Sequence, residues 1–114
     1  MEQPELLSSV DSPQVFVVLA NGATQDTVVW LGGEHDLSSA EELMRAIATA
    51  AGSGRSDVVI DLSHGAFMDS TTIHQILAAR IRLGAQGRKA RVRDPSPAAR
   101  YVLEICGLTH LVES

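Results

Sequence analysis

The chain has 114 residues, 45% of them apolar and 20% charged, with a formal charge of −5 and a pI near 5.2. That length accommodates one hydrophobic core but not two, and the composition excludes disorder, collagen-like repeats and a coiled coil. No basic surplus is available to neutralise phosphates, which disfavours nucleic acid and anionic membrane as partners and leaves a protein or a small ligand.

Residues 1–13, MEQPELLSSVDSP, carry two prolines and several serines and read as an N-terminal lead-in to a domain over 14–114. They lack a positive start followed by an apolar stretch, and nowhere does the chain hold about 18 consecutive apolar residues, so neither export nor membrane anchoring is predicted. The runs VFVVLA and TVVWL, separated by a polar stretch containing Asn21-Gly22, predict an antiparallel hairpin between Gln14 and Gly33. The period then changes: Leu37, Ala40, Leu43, Met44, Ile47 and Ala50 fall on one helical face. A capping box of Ser38 and Glu41, with Gly52 as the stop, predicts a first helix over 38–51.

DVVIDL, residues 57–62, is too apolar for a strand with one wet face and predicts a central strand that ends before the polar cluster beyond it. Ile73, Ile76, Leu77 and Ile81 then repeat at helical spacing, which predicts a second helix from Ser70 or Thr71 to about Gly84. KARVRD reads as a strand parallel to 57–62. Pro95-Ser96-Pro97 opens a third helix, with Ser96 as N-cap and Pro97 in its first position. Val102, Leu103, Ile105 and Cys106 supply its apolar side, and Gly107 fits the left-handed position at its end, with Leu108 folding back. The lone Cys106 cannot form an internal disulfide, which suits a reducing cytoplasm, and reads as core filler. The order β-β-α-β-α-β-α predicts an α/β fold, a mixed sheet with helices packed on it. Arg80, Arg82, Arg88, Lys89, Arg91 and Arg93 read as a solvated basic face.

Chemistry concentrates in Asp69-Ser70-Thr71-Thr72, where a buried strand meets a helix. There the first-turn N–H groups are unpaired and the helix dipole turns its positive end outward, a setting that favours an anion. One carboxylate or hydroxyl suffices as a cap, worth about 0.5–2 kcal/mol, and either Asp69 or Ser70 fits. Four polar residues in a row exceed that need. A phosphoryl group on Ser70 would bring about −1.5 to −2 charges and could accept those N–H bonds, against repulsion from Asp69. The enzymatic alternative is a serine hydrolase with Ser70 as nucleophile and His35, His64 or His74 as base. It fits poorly, because the glycine-flanked G-x-S-x-G elbow is missing. These histidines and His110 show no metal-ligand spacing, so no metal is predicted. Gly33-Glu34-His35-Asp36 is a second polar site. As structure, Asp36 is a first-turn acid or turn residue, and its loop would share a sheet edge with 69–72 if both strands end on the same side.

Three blocks, VVWLGGEHDLSSAEEL, VVIDLSHGAFMDSTTIHQIL and SPAARYVLEICGL, resemble the sulfate-transporter and anti-sigma-factor-antagonist (STAS) domain in its stand-alone, anti-anti-sigma form. The middle block, a V-V-I-D-L strand followed by F-M-D-S at a helix head, is the specific one. The resemblance implies a STAS-like fold: a mixed sheet of about four to five strands with three to four helices packed mainly on one side. It implies a cytoplasmic, non-enzymatic regulator of transcription without a cofactor of its own. Unphosphorylated, such a protein binds an anti-sigma serine kinase and releases a sigma factor. The kinase, using ATP, then phosphorylates the serine after the aspartate, here Ser70, and a metal-dependent PP2C-type phosphatase reverses the modification.

By the same likeness Asp69 matches the motif acid, Thr71 the neighbouring hydroxyl and Asp36 the acid of a G-x-L-D-like loop at the kinase interface. Where the pattern usually has a glycine and then an apolar residue, the chain has Thr72 and Ile73, which puts a branched side chain in place of the glycine; His74 adds further bulk, and His35 replaces a usually aliphatic residue of the G-x-L-D-like loop. The expected docking face therefore comprises His35, Asp36, Asp69, Thr71, Thr72 and His74 around Ser70. Two alternatives stand beside it: an unphosphorylated STAS module serving as a scaffold or as a ligand or nucleotide sensor, and more remotely the hydrolase.

Overall fold

The computed structural model describes residues 14–18, 26–35, 39–52 and 56–112. Its elements run β1 (Gln14–Val18), β2 (Thr27–His35), α1 (Ala40–Gly52), β3 (Val58–Met68), α2 (Ser70–Gly84), β4 (Ala90–Arg93) and α3 (Pro97–Ile105), followed by a 3₁₀ turn at Thr109–Leu111. Among the described residues the strands lie in the order β1-β2-β3-β4. The predicted hairpin is present as antiparallel β1 and β2, and β2, β3 and β4 are parallel, with β3 in the interior. No helix among the described residues is long and apolar enough to cross a membrane.

The alternation of β3 builds the core. Successive strand residues point to opposite faces, so Val58, Ile60 and Leu62 go one way and Val59 and Asp61 the other. The first set is buried with Val29 and Leu31 of β2 and Val92 of β4, beneath residues from all three helices such as Leu43, Ile76 and Leu103. Each fully buried Leu or Ile contributes roughly 1.5–3 kcal/mol relative to exposure. On the opposite face Val28, Trp30 and Val59 form a second, smaller cluster.

Strand β3 continues through Met68, beyond the predicted end at Leu62. Ser63, His64 and Gly65 weaken strand propensity, yet the parallel pairing with β2 carries through them by register shifts between Trp30 and Gly32 and between Gly33 and Glu34. Such irregularities absorb residues that a regular ladder would not. Gly33 sits there at φ 73, a backbone conformation open to glycine at little cost.

Short-range signals at the helix ends agree with the structure. Ser96 Oγ accepts from Ala99 N at 3.1 Å with Pro97 at the helix start. At the far end of α3, Gly107 has φ 70, and Leu108 N donates to Leu103 O at 2.8 Å. Helix α1 begins at Ala40, two residues after the predicted start. Ser38 and the Asn21-Gly22 turn lie outside the described residues, and Glu41 pairs with Arg45 at 2.7 Å.

Long-range burial corrects other readings. Met44, Ile81 and Ile105, expected on apolar faces, are exposed. The buried stripe of α2 is Thr72, Ile73, Ile76, Ala79 and Leu83, and at 3.6 residues per turn Ile81 projects from the opposite side. Cys106 is exposed rather than core filler. The last buried residue of α3 is Leu103, and the next position on that face, one turn on, is Gly107. The basic run is not uniformly solvated either. Arg88 is buried, Arg91 Nη2 reaches Asp26 Oδ2 at 2.6 Å, and Arg93 Nε donates to Asp61 Oδ2 at 2.9 Å.

Candidate functional site

Because β2 and β3 are parallel, their C-terminal ends emerge on the same side, with His35 registered against Met68. The condition for a shared edge between the 33–36 and 69–72 segments is thus met by the backbone. Directly after Met68 the chain turns into α2 through Asp69, which is extended at φ −102 and ψ −175. That conformation folds the side chain back over the first turn, where Asp69 Oδ1 accepts from Thr71 N at 3.0 Å and Thr72 N at 3.3 Å.

Asp69 is therefore the cap, an alternative that the residues alone left open. Ser70 occupies the first helical position and is exposed. Its hydroxyl makes no hydrogen bond among the described residues. Thr71 is half-buried, and His74 is exposed one turn beyond Ser70 on the same side of the helix. Thr72, expected at the docking surface, is only 2% exposed. Its side chain belongs to the buried stripe of α2, so it packs inward and offers a partner no surface. The side chain of His35 and all of Asp36 lie outside the described residues.

The electrostatics of this corner are those of a helix start already holding one negative charge. Two of the four free first-turn N–H groups are bound to the Asp69 carboxylate. A dianion on the neighbouring Ser70 would meet that carboxylate, and would either compete for its N–H donors or be driven outward. Both outcomes alter the exposed surface while leaving the apolar stripe of α2 in place.

Among the described residues no histidine is hydrogen-bonded to Ser70, and the side chain of His35, one of the three candidate bases, lies outside them. His64 instead places Nδ1 3.0 Å from Ser63 Oγ and its ring edge-on to Trp30 at 6.4 Å. His74 is exposed on the same helix as Ser70. No group of three His, Cys, Asp or Glu among the described residues could hold a metal ion.

One residue received no role from the sequence reading. Asp61, in the middle of V-V-I-D-L, is 2% exposed. Its Oδ1 accepts from Ser63 N at 2.9 Å and Ser63 Oγ at 2.6 Å, and its Oδ2 is paired with Arg93, which lies directly across the parallel register. The Arg93 guanidinium also stands 5.0 Å from the centre of the Trp30 ring, a cation–π distance. A lone acid in an apolar run requires a cation, and an alternating arginine in the neighbouring strand was the signal that could have found this pair.

The mixed sheet with its covering helices, and the aspartate-capped helix that presents an exposed serine, are those of a STAS domain. Residues 18–113 match the family model described as Mlab, STAS domain, and the chain belongs to that family. Among solved structures it is similar to an anti-sigma factor antagonist from Mycobacterium paratuberculosis, at 31% identity over 91% of this chain and 86% of that one, with a TM-score of 0.73. It is similar to the anti-sigma factor antagonist SpoIIAA in its unphosphorylated form, at 25% identity over 90% of this chain and 86% of that one, with a TM-score of 0.71. For the Bacillus cell fate determinant SpoIIAA in its phosphorylated form the identity is 25% over 90% and 89% of the two chains, with a TM-score of 0.65. Curated proteins yield no match.

Proposed function

We propose that this chain is an anti-sigma factor antagonist whose unphosphorylated form binds an anti-sigma serine kinase and thereby releases a sigma factor. Phosphorylation of Ser70 by that kinase, with ATP, ends the binding, and a PP2C-type phosphatase restores it. The protein acts in the cytoplasm by binding, with no catalysis and no cofactor of its own. The observation that carries this reading is the division of labour at the head of α2: Asp69 takes the structural task, which leaves the exposed Ser70 hydroxyl available for modification. Likeness to SpoIIAA in both phosphorylation forms supports it.

The docking face in this reading consists of Ser70, Thr71 and His74 beside Asp69, together with the loop of His35 and Asp36. Thr72 is left out because it is buried. Ser70→Ala is expected to keep kinase binding and abolish phosphate incorporation, whereas Ser70→Asp is expected to weaken binding by charge repulsion beside Asp69. Intact-mass analysis after incubation with the cognate kinase and ATP, paired with a binding titration of each variant, tests the pair. Equal binding of the two variants would sink the switch. An unchanged mass with the complex retained would assign the chain to the unphosphorylated binding modules instead.

A further inference from the structure

At the opposite end of the sheet from Ser70, where β3 and β4 begin in register at Val58 and Ala90, a cavity of about 290 Å³ opens between the end of α2 and the 3₁₀ turn. Ten steps of β3 separate its level from Met68, roughly 30 Å at about 3.3 Å per residue. Its lining carries Arg80 from α2, Arg88 and Lys89 from the α2–β4 connection, Arg91 from β4 and His110 from the turn, and among the described residues no carboxylate. In a chain of net charge −5 this is a local reversal of sign.

Arg88 is the unusual member. It is 7% exposed, and its donors go to neutral acceptors: Nε to Ser56 O at 2.8 Å, and Nη1 to Ala51 O at 2.6 Å and Gln86 Oε1 at 2.8 Å. Its Nη2 is buried without a hydrogen-bond partner among the described residues. Bonded only to neutral acceptors among the described residues, this buried guanidinium keeps its full positive charge beside the cavity, which a nearby anion would offset. The nearby acids engage other groups. Asp57 accepts from Lys89 N at 2.9 Å and lies 3.8 Å from Arg91, and Asp26 pairs with Arg91 at 2.6 Å. Arg80 and Lys89, both exposed, form no ion pair among the described residues.

We infer that this cavity binds a small oligophosphate, two or three linked phosphoryl groups, through the exposed Arg80 and Lys89, with the buried Arg88 adding its charge from the cavity wall. Guanidinium forks match phosphate oxygens two at a time, and lysine adds a compact point charge. Cations converging from several elements on a space far larger than one water suit an anion with many oxygens better than a single tetrahedral ion. The site is separate from the Ser70 corner and does not depend on the partner-switching reading.

Calorimetric titration of the full chain with inorganic pyrophosphate tests it, with sulfate at matched ionic strength, a nucleoside diphosphate and a polyglutamate peptide as the comparison arms. Saturable pyrophosphate binding is expected, weakened at least tenfold in the Arg80→Ala/Lys89→Ala double variant and unchanged in Ser70→Ala. Both cationic side chains are exposed, so the double variant should unfold at the same denaturant midpoint as the parent without ligand. Tighter binding of the nucleoside diphosphate would support a nucleotide as the source of the phosphates, and equal binding would support the inorganic anion. No saturation by either, an equal response to sulfate, preference for polyglutamate, or indifference to the double variant would overturn the assignment.

Discussion

At its C-terminal end α2 is closed by the chain's own return, with Arg88 N bonded to Leu83 O and the Arg88 side chain reaching the carbonyls of Ala51 and Ser56. At its N-terminal end the first turn is capped by the Asp69 carboxylate, and the next side chain, Ser70, is exposed. The first end ties three elements together, because Ala51 closes α1 and Ser56 precedes β3. The second leaves a hydroxyl that bonds to none of the described residues. A reversible modification is tolerable only where the fold has such a group to spare, which places the candidate switch at the lightly held end.

The contrast can be broken most forcefully at the locked end. Arg88→Ala removes three charge-assisted bonds and strands the buried carbonyl of Ala51 and the half-buried one of Ser56, so a loss of about 3 kcal/mol in urea unfolding is expected. A loss below about 1 kcal/mol would mean that the lock is not there. Asp69→Ala should cost about 1.5 kcal/mol, from the cap and its favourable charge at the helix start together. Asp69→Asn should recover much of that, because an amide oxygen still caps. Gly87→Ala sharpens the comparison: Gly87 has φ 72 and a Cβ there would meet nothing within 4 Å, so the expected loss of about 1 kcal/mol is purely conformational. Smallest of all, Ser70→Ala should change stability by less than about 0.5 kcal/mol, since the hydroxyl supports nothing. A larger loss would show that Ser70 is structural after all.

Features set by neighbours in sequence were legible before the structure. The boundaries of α2, the Ser96 cap and the Gly107 stop depend on residues within one turn of each other, and local chemistry decides them. Features set by what lies across the sheet were not. Ile81 and Ile105 are as apolar as Ile73, and only packing decides which faces inward. Thr72 and Arg88 are polar residues that the tertiary fold buries, and β3 outlasts its own propensity because β2 pairs with it. At the site, four polar residues were visible, but the choice between Asp69 and Ser70 as cap needed the backbone angle at Asp69. Asp61 was overlooked for a related reason, its meaning lying in an arginine 32 residues away.

That same pair gives the protein an optical property. Trp30 is the chain's one tryptophan, 5% exposed, with Arg93 over its ring and His64 at its edge. Its fluorescence therefore reports on the side of the sheet away from the helices, whereas far-ultraviolet circular dichroism is dominated by the helices themselves. Coincident melting by the two signals would mean that both faces of the sheet are lost in one cooperative event.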